Sequence, residues 1–304
     1  MPAGIVFAGD TRNPFVVVDK PAGLPSAPLS EADSAPNALR LVACEFPGVM
    51  RVRGRKAAEH GLVHRIDTEA SGLLLFALTQ EAYDFFADEQ RHGRFRKSYT
   101  AFCHRLPDTA SRLGGFPPMP ADAERGGFVC RSRFRPWGRG RREVRPVTAD
   151  SAPAARKKAG AAVYETAVSA LSVAENAPPR QAQPDSAADG GAVYRLAAET
   201  ARGFRHQVRC HLAWRGFPVI GDALYHPAYQ VGGEGETARR QRTLFFASGL
   251  SFRHPLTGEA QAFALPEYSG ECLPIVTGRL SLFGAGDAGR YPYFENSDPA
   301  HAES

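Results

Sequence analysis

The chain has 304 residues, of which 43% are hydrophobic and 23% are charged, and its formal net charge at pH 7 is +5. This composition is ordinary for a soluble globular protein of one large or two medium domains, and no apolar run reaches the ~18–20 residues that would span a bilayer. The five cysteines are scattered and never spaced as CxxC, which argues against a disulfide framework or a zinc site and for a reducing compartment.

The first part of the chain predicts strands on both sides of a short helix. Residues 15–28 (FVVVDKPAGLPSAP) indicate a strand that runs into a turn rich in proline and glycine. Residues 37–46 have helical spacing, with Asn37 as the N-cap. Two further strand segments, 61–67 and 71–78, are expected on either side of a short loop.

The centre of the chain predicts a second helix, one strand and then a long irregular region. Residues 79–93 carry an apolar stripe at helical spacing, with Thr79 as the cap and Gly93 at the end. A strand is predicted over 95–103. The following stretch, 104–162, is rich in glycine, proline and arginine and is predicted to be an irregular basic insertion.

The remainder predicts strands separated by one helix. The strand-like segments are residues 163–171, 193–200, 243–255 and 262–266. Between the first two of these segments, residues 174–191 are predicted to form a mobile loop. Residues 205–216 are predicted to be a helix closed by Gly216, and 276–304 a tail with little pattern.

The order of these elements indicates the fold class. Strands outnumber helices, and the helices fall between groups of strands rather than after each strand. We therefore predict an α+β fold with a central mixed, largely antiparallel sheet, flanking helices and a cleft. One domain is expected over residues 1–275. No GxGxxG or GxxxxGK[ST] motif is present, so the sequence gives no support for a nucleotide cofactor.

Positive charge is concentrated in one region. Residues 91–145 contain 14 Lys and Arg against 4 Asp and Glu, so the rest of the chain is weakly acidic. Such a basic region on an acidic body is typical of a protein that binds a polyanion. Arginine outnumbers lysine by 32 to 5, which suits stacking on bases and forked contacts to phosphate; codon usage in a GC-rich genome also explains this ratio. For the run 131–145 we expect phosphate contacts rather than a merely solvated face.

Five segments carry a family resemblance. In chain order they are VVVDKPAGL (16–24), HRIDTEASGLLLFA (64–77), RKSYTAF (96–102), ETARGFRHQVRCHLAWRGFPVIGDALY (199–225) and LSFRHPLTGEAQAFALP (250–266). Together they resemble the RluA family of RNA pseudouridine synthases, which isomerise uridine in ribosomal or transfer RNA without a cofactor or metal. The sequence differs from the family motifs in the loop after the aspartate (68–70) and in the segment 203–206. These differences are expected to affect RNA contacts more than the central chemistry.

The resemblance implies three catalytic residues. Asp67 aligns with the family aspartate, which either adds to the ribose or removes the C2′ proton, and both routes stay open. Arg209 aligns with the arginine that pairs with it; we expect a bidentate pair that keeps the carboxylate ionised in apolar surroundings. Tyr99 aligns with the tyrosine that packs on the uracil ring.

Six further side chains are expected to contact substrate. They are Lys20, His64, Arg65, Arg96, Lys97 and Gln207. Arg65 aligns with the arginine that occupies the space left by the flipped base. A structural hydrogen-bonding role for His64 and bracing of a turn by Lys20 are the alternatives, and Gln207 with His206 either orients Arg209 or contacts RNA.

The resulting hypothesis is a cytoplasmic, monomeric RNA pseudouridine synthase that acts on ribosomal or transfer RNA. We expect no membrane partner and no S4 module before the catalytic domain. Two rival functions are weighed against it. One is a catalytically inactive RNA-binding protein or chaperone on the same fold. The other is a base-flipping glycosylase that stops after bond cleavage.

Overall fold

The structure is a computed structural model that describes residues 4–119, 127–173, 192–229 and 242–266. The loop predicted at 174–191 and the tail predicted at 276–304 lie outside the described residues. All five motif segments lie within the described ranges.

Ten strands form one sheet across the described ranges. The strands are β1 Gly4–Phe7, β2 Phe15–Lys20, β3 Ser71–Ala77, β4 Arg96–His104, β5 Phe128–Trp137, β6 Glu143–Val147, β7 Tyr164–Val173, β8 Val193–Thr200, β9 Phe245–Arg253 and β10 Ala260–Ala264. Their spatial order is β1-β2-β3-β9-β4-β8-β7-β5-β6, and β10 pairs with β9.

The sheet is mixed and largely antiparallel. Among the pairings of the described strands, β3 with β9 is parallel, with Ser71 opposite Phe246, and the others are antiparallel. The predicted α+β class is therefore confirmed. Because β9 lies between β3 and β4, a strand from late in the chain joins the two early parts that carry Asp67 and Tyr99.

The described ranges contain five α-helices. They are α1 Ala38–Glu45, α2 Gln80–Arg91, α3 Thr109–Leu113, α4 Pro153–Lys157 and α5 Gln207–Trp214. Both predicted N-caps are confirmed: Asn37 accepts from the amide of Arg40 at 3.0 Å, and Thr79 accepts from Ala82 at 3.3 Å. No helix within the described ranges is long and apolar enough to cross a bilayer.

Strand β3 is buried on both faces of the sheet. Leu74 and Phe76 pack into the core shared with α1, whereas Leu73 and Leu75 pack into the core shared with α2. Successive side chains of a strand point to opposite faces, so a continuous apolar run such as SGLLLFA is what a doubly covered strand requires. This packing holds β3 in place, and with it the preceding loop that carries Asp67.

Two predicted elements are wrong. Residues 61–67 form no strand; they make a single bridge, Leu62 to Phe76, because the chain turns away to reach the cleft. The region 131–146 is not irregular but forms the β5–β6 hairpin. Its inward residues, such as Phe134, alternate with arginines, and the frequent arginine, glycine and proline obscured the period of two.

Only some of the arginines in the basic run 131–145 are exposed to solvent. Arg145 is 1% exposed and donates to the carbonyl oxygens of Gly114 and Leu113. Arg135 is also buried, and its guanidinium lies 4.3 Å from the Trp137 ring centroid. The expectation of phosphate contacts is therefore wrong for these two arginines, which hold the hairpin against neighbouring backbone.

Candidate active site

An open cleft of about 380 Å³, including its part open to solvent, lies where β4, β8 and β9 meet the start of α5. Its walls include Arg65, Asp67, Tyr99, His206, Arg209 and Phe245. The structure thus brings the three residues predicted to be catalytic into one site.

Lys20 holds the loop that carries Asp67 in place through hydrogen bonds to its backbone. The Lys20 side chain is fully buried, and its Nζ atom lies 2.6–3.3 Å from the carbonyl oxygens of Pro21, Leu24, Thr68 and Ala70. One ammonium group therefore hydrogen-bonds both the turn after β2 and the loop after Asp67. This geometry matches the bracing alternative for Lys20, and the residue does not line the cleft.

Arg209 binds two carboxylates at once. Its Nη1 donates to Oδ2 of Asp67 at 2.6 Å, while its Nε and Nη2 donate to the two carboxylate oxygens of Asp222 at 2.7 and 2.8 Å. The predicted bidentate pair with Asp67 is therefore wrong, because the fork of the guanidinium is occupied by Asp222. As a result Arg209 donates to one oxygen of Asp67, a residue that lines the cleft, and makes no hydrogen bond to Oδ1.

The electrostatics of the site favour an ionised Asp67. Burial alone would raise the pKa of Asp67, but Arg209, then His206 and Lys20, outweigh burial and hold that pKa below its usual range. Its side chain is 19% exposed, so the carboxylate is within reach of a ligand. An ionised carboxylate with one unshared oxygen can act as a nucleophile or as a base.

Tyr99 forms the aromatic wall of the cleft. Its ring stacks on Phe245 of β9, with centroids 5.1 Å apart and planes within 6°. Burial raises the pKa of Tyr99, so its hydroxyl stays protonated at neutral pH. The stacked pair gives a flat, rigid surface against which a planar base can pack.

His206 and Gln207 shape the start of α5. Gln207 accepts from the amide of Phe204 at 2.9 Å and donates to the Glu165 carbonyl at 2.7 Å, so it fixes the turn before the helix. His206 has φ +55°, an uncommon conformation for a residue other than glycine. Its Nε2 lies 3.9 Å from Oδ1 of Asp67, too far for a hydrogen bond.

Of the remaining residues predicted to contact substrate, one lines the cleft and three do not. Arg65 lines the cleft, is 56% exposed in its side chain and pairs with Glu59 at 3.0 Å. Arg96 pairs with Glu199 instead of lining the cleft. His64 and Lys97 are buried and do not line the cleft. Within the described part of the chain, neither ring nitrogen of His64 has a hydrogen-bond partner, so its predicted hydrogen-bonding role is wrong.

Sequence reasoning missed two residues that complete the site. Asp222 is fully buried and accepts from the amides of Leu224 and Tyr225 as well as from Arg209. The signal was present in the quoted segment GDALY, because a buried arginine in an apolar helix needs an acidic partner. Phe245 carries no such signal, since an aromatic residue in a strand is ordinary core.

Comparisons with known proteins identify the family and the fold. Residues 14–214 match the family described as RNA pseudouridylate synthase. The chain is 26% identical over 213 residues to the uncharacterized RNA pseudouridine synthase YjbO of Bacillus subtilis, a match that covers 70% of this chain and 57% of YjbO. It is 25% identical over 252 residues to the dual-specificity RNA pseudouridine synthase RluA of Escherichia coli, covering 83% of this chain and 89% of RluA.

Coverage differs among the relatives. The chain spans 49% to 65% of the length of YjbO and three other curated relatives. The fold is similar to that of human RNA Pseudouridylate Synthase Domain Containing 1, with a TM-score of 0.54 and 18% identity over 87% of this chain and 83% of the human chain. The family match covers more than half of the sequence and includes Asp67, Tyr99 and Arg209. The chain belongs to the RNA pseudouridylate synthase family.

Proposed function

We propose that this chain isomerises uridine to pseudouridine in RNA, with Asp67 as the catalytic carboxylate. The observation that carries the proposal is the arrangement of one ionised carboxylate, held by Arg209 through a single oxygen, beside a stacked aromatic wall. A nucleoside bound against that wall presents its ribose to the free oxygen of Asp67. Family membership supports the same reaction.

The chemistry balances without a second reactant. The bond between C1′ of the ribose and N1 of uracil breaks, the ring turns, and C1′ bonds to C5. The proton on C5 is lost and N1 gains a proton, so the product is an isomer of the substrate. Asp67 serves either by adding to C1′ and leaving again, or by removing and returning the C2′ proton.

Two neighbours of Asp67 take supporting roles in this proposal. A uridine in a folded RNA must leave its stack before its sugar can be reached. Arg65, which is exposed at the mouth of the cleft, fills the space that the base vacates. Tyr99 packs on the extruded uracil, a contact of about 1–3 kcal/mol.

The substrate in this proposal is ribosomal or transfer RNA, and the protein acts as a cytoplasmic monomer. One relative is named a dual-specificity RNA pseudouridine synthase, which supports RNA as the substrate. The exposed arginines at the tip of the β5–β6 hairpin, Arg139, Arg141 and Arg142, supply positive charge for the phosphate backbone.

Tritium release tests the reaction. Ribosomal and transfer RNA transcribed with uridine tritiated at C5 are incubated with the wild-type protein and with Asp67→Asn. Because isomerisation replaces the C5 proton, the wild-type protein should release tritium to water and Asp67→Asn should not. RNA binding without release would identify an inactive binding protein, and free uracil would identify a glycosylase; either result refutes the proposal.

The modified uridine is then located by mapping pseudouridine in total RNA from cells with and without the gene. A position that loses pseudouridine only when the gene is absent, and regains it with wild type but not with Asp67→Asn, names the substrate. Positions restricted to messenger RNA would contradict the proposed substrate class.

A further inference from the structure

Lys97 is a buried lysine at the edge of the cleft. It is 6% exposed, and within the described ranges burial alone shifts its pKa, with no hydrogen bond to its ammonium and no charged partner. The contrast is Lys20, the other buried lysine, whose ammonium meets four carbonyl oxygens. Buried charges are normally paired, so an unpaired ammonium indicates a missing ligand.

The position of Lys97 connects it to the cleft. It precedes Tyr99 by two residues on β4, so both side chains leave the same face of the sheet, about 7 Å apart along the strand. Thr200 lies directly opposite Lys97 in the β4–β8 ladder and lines the cleft. One nucleotide in the cleft can therefore touch Tyr99 and Lys97 together.

The surroundings of Lys97 lack negative charge. Burial lowers its pKa to about 8, with no contribution from a carboxylate, so most of the amine is protonated at pH 7. His64 is buried nearby, and burial together with the charge of Lys97 holds the pKa of His64 well below its usual value. A cation with no carboxylate beside it suits an anion.

Gly203 gives access to the ammonium. Gly203 is exposed and lines the cleft, and a Cβ atom added there would lie 2.8 Å from Nζ of Lys97. Its φ lies outside the left-handed region, so the backbone does not demand glycine at this position. The missing side chain is what leaves a path from solvent to Nζ.

We propose that Lys97, reached past Gly203, binds a backbone phosphate of the RNA beside the uridine that enters the cleft. The ligand class is a phosphodiester, and the RNA part of this proposal rests on the proposed function. The phosphate neutralises an ammonium that the protein leaves unpaired, and it fixes the nucleotide relative to Tyr99. Lys97 is thus a positioning residue for the substrate.

Two variants and a matched control test the site. Lys97→Met removes the charge, Gly203→Ala keeps Lys97 but covers Nζ, and Lys157→Met makes the same chemical change on the exposed face of α4. The probe is an oligonucleotide that contains the mapped uridine, together with copies that carry a neutral methylphosphonate at the 5′ or the 3′ linkage. Affinity is measured by fluorescence anisotropy at several KCl concentrations.

Lys97→Met and Gly203→Ala should weaken binding about tenfold, because a charge-assisted contact is lost. The slope of log affinity against log salt should fall by about 0.7, the value for one phosphate of a single strand. Lys157→Met should match wild type. One methylphosphonate should weaken wild type about tenfold and leave Lys97→Met unchanged, which a merely structural lysine would not produce.

Wild-type affinity and salt slope in Lys97→Met would overturn the site, and so would a methylphosphonate penalty that persists in that variant. Folding is checked by thermal midpoint; removing an unpaired buried charge should not lower it. Inorganic phosphate is the probe without RNA: it should raise the midpoint of wild type and not that of Lys97→Met. If phosphate stabilises wild type but not Lys97→Met, and no RNA releases tritium, the anion site at Lys97 is supported and the proposed function is refuted.

Discussion

Asp222→Asn tests whether the second carboxylate fixes the arginine of the active site. The change keeps the shape of the side chain but replaces one oxygen with an NH₂ group. Oδ1 of Asp222 accepts from two backbone amides as well as from Arg209, so the amide nitrogen must take the Oδ2 position. There it faces Nε of Arg209, which is also a donor.

The Asp222→Asn variant should lose stability because its new NH₂ group and Nε–H of Arg209 are both hydrogen-bond donors, and the site that holds them is fully buried. Breaking a buried, hydrogen-bonded charge pair from one side costs about 3–5 kcal/mol. For a domain of this size that corresponds to a fall in Tm of roughly 6–20 °C. Activity should fall as well, because Arg209 loses the contact that sets its orientation toward Asp67.

Asp67→Asn is the matched comparison, because it makes the same chemical change on the other partner of Arg209. Asp67 shares one hydrogen bond with Arg209 and is partly exposed, and Asp222 still neutralises the guanidinium. We expect a loss of only about 1 kcal/mol together with complete loss of tritium release. Both variants are measured by urea unfolding and by the tritium assay. Equal losses of stability, or a loss below about 1 kcal/mol for Asp222→Asn, would refute the reasoning.

Three other outcomes are expected. Arg209→Lys should lose most tritium release while its far-UV circular dichroism stays unchanged, since an ammonium cannot reach both carboxylates with a planar fork; wild-type turnover would contradict the pairing role. Tyr99→Phe should bind RNA within about twofold of wild type, because the stacked ring remains, and should react more slowly in single turnover; an unchanged rate would remove the hydroxyl from the chemistry. The kcat/KM of tritium release should stay flat from pH 7 down to about pH 5, because the lowered pKa of Asp67 keeps it ionised there, and an acid limb near pH 6 would show that Arg209 does not hold the carboxylate charged.

Local signals predicted the elements whose ends are set by the chain itself. Asn37 and Thr79 cap their helices as expected because an N-cap depends on residues three positions away. The helix predicted to be closed by Gly216 ends at Trp214, and Gly216 follows its C-cap Arg215 with φ +74°. The motif segments also brought Asp67, Tyr99 and Arg209 together correctly.

Contacts between distant parts of the chain could not be predicted in the same way. Periodicity does not reveal that the fork of Arg209 belongs to Asp222, because the choice between two carboxylates depends on how the loops pack. The stack of Phe245 on Tyr99 joins residues from separate strands, and the register of β4 with β9 is irregular at that point. The β5–β6 hairpin was missed because Arg135 and Arg145 are buried by carbonyl and aromatic contacts that composition does not reveal.

The central position of β9 has a consequence for biosynthesis. Until Phe245–Arg253 leaves the ribosome, β3 and β4 each present an open edge, and the ring beneath Tyr99 is absent. Unpaired edges of apolar strands invite association with other chains, and insertion of a late strand between two early ones makes folding slow. The nascent protein therefore depends on β9 to protect these two edges from aggregation, and the cleft is complete only after β9 has been synthesised.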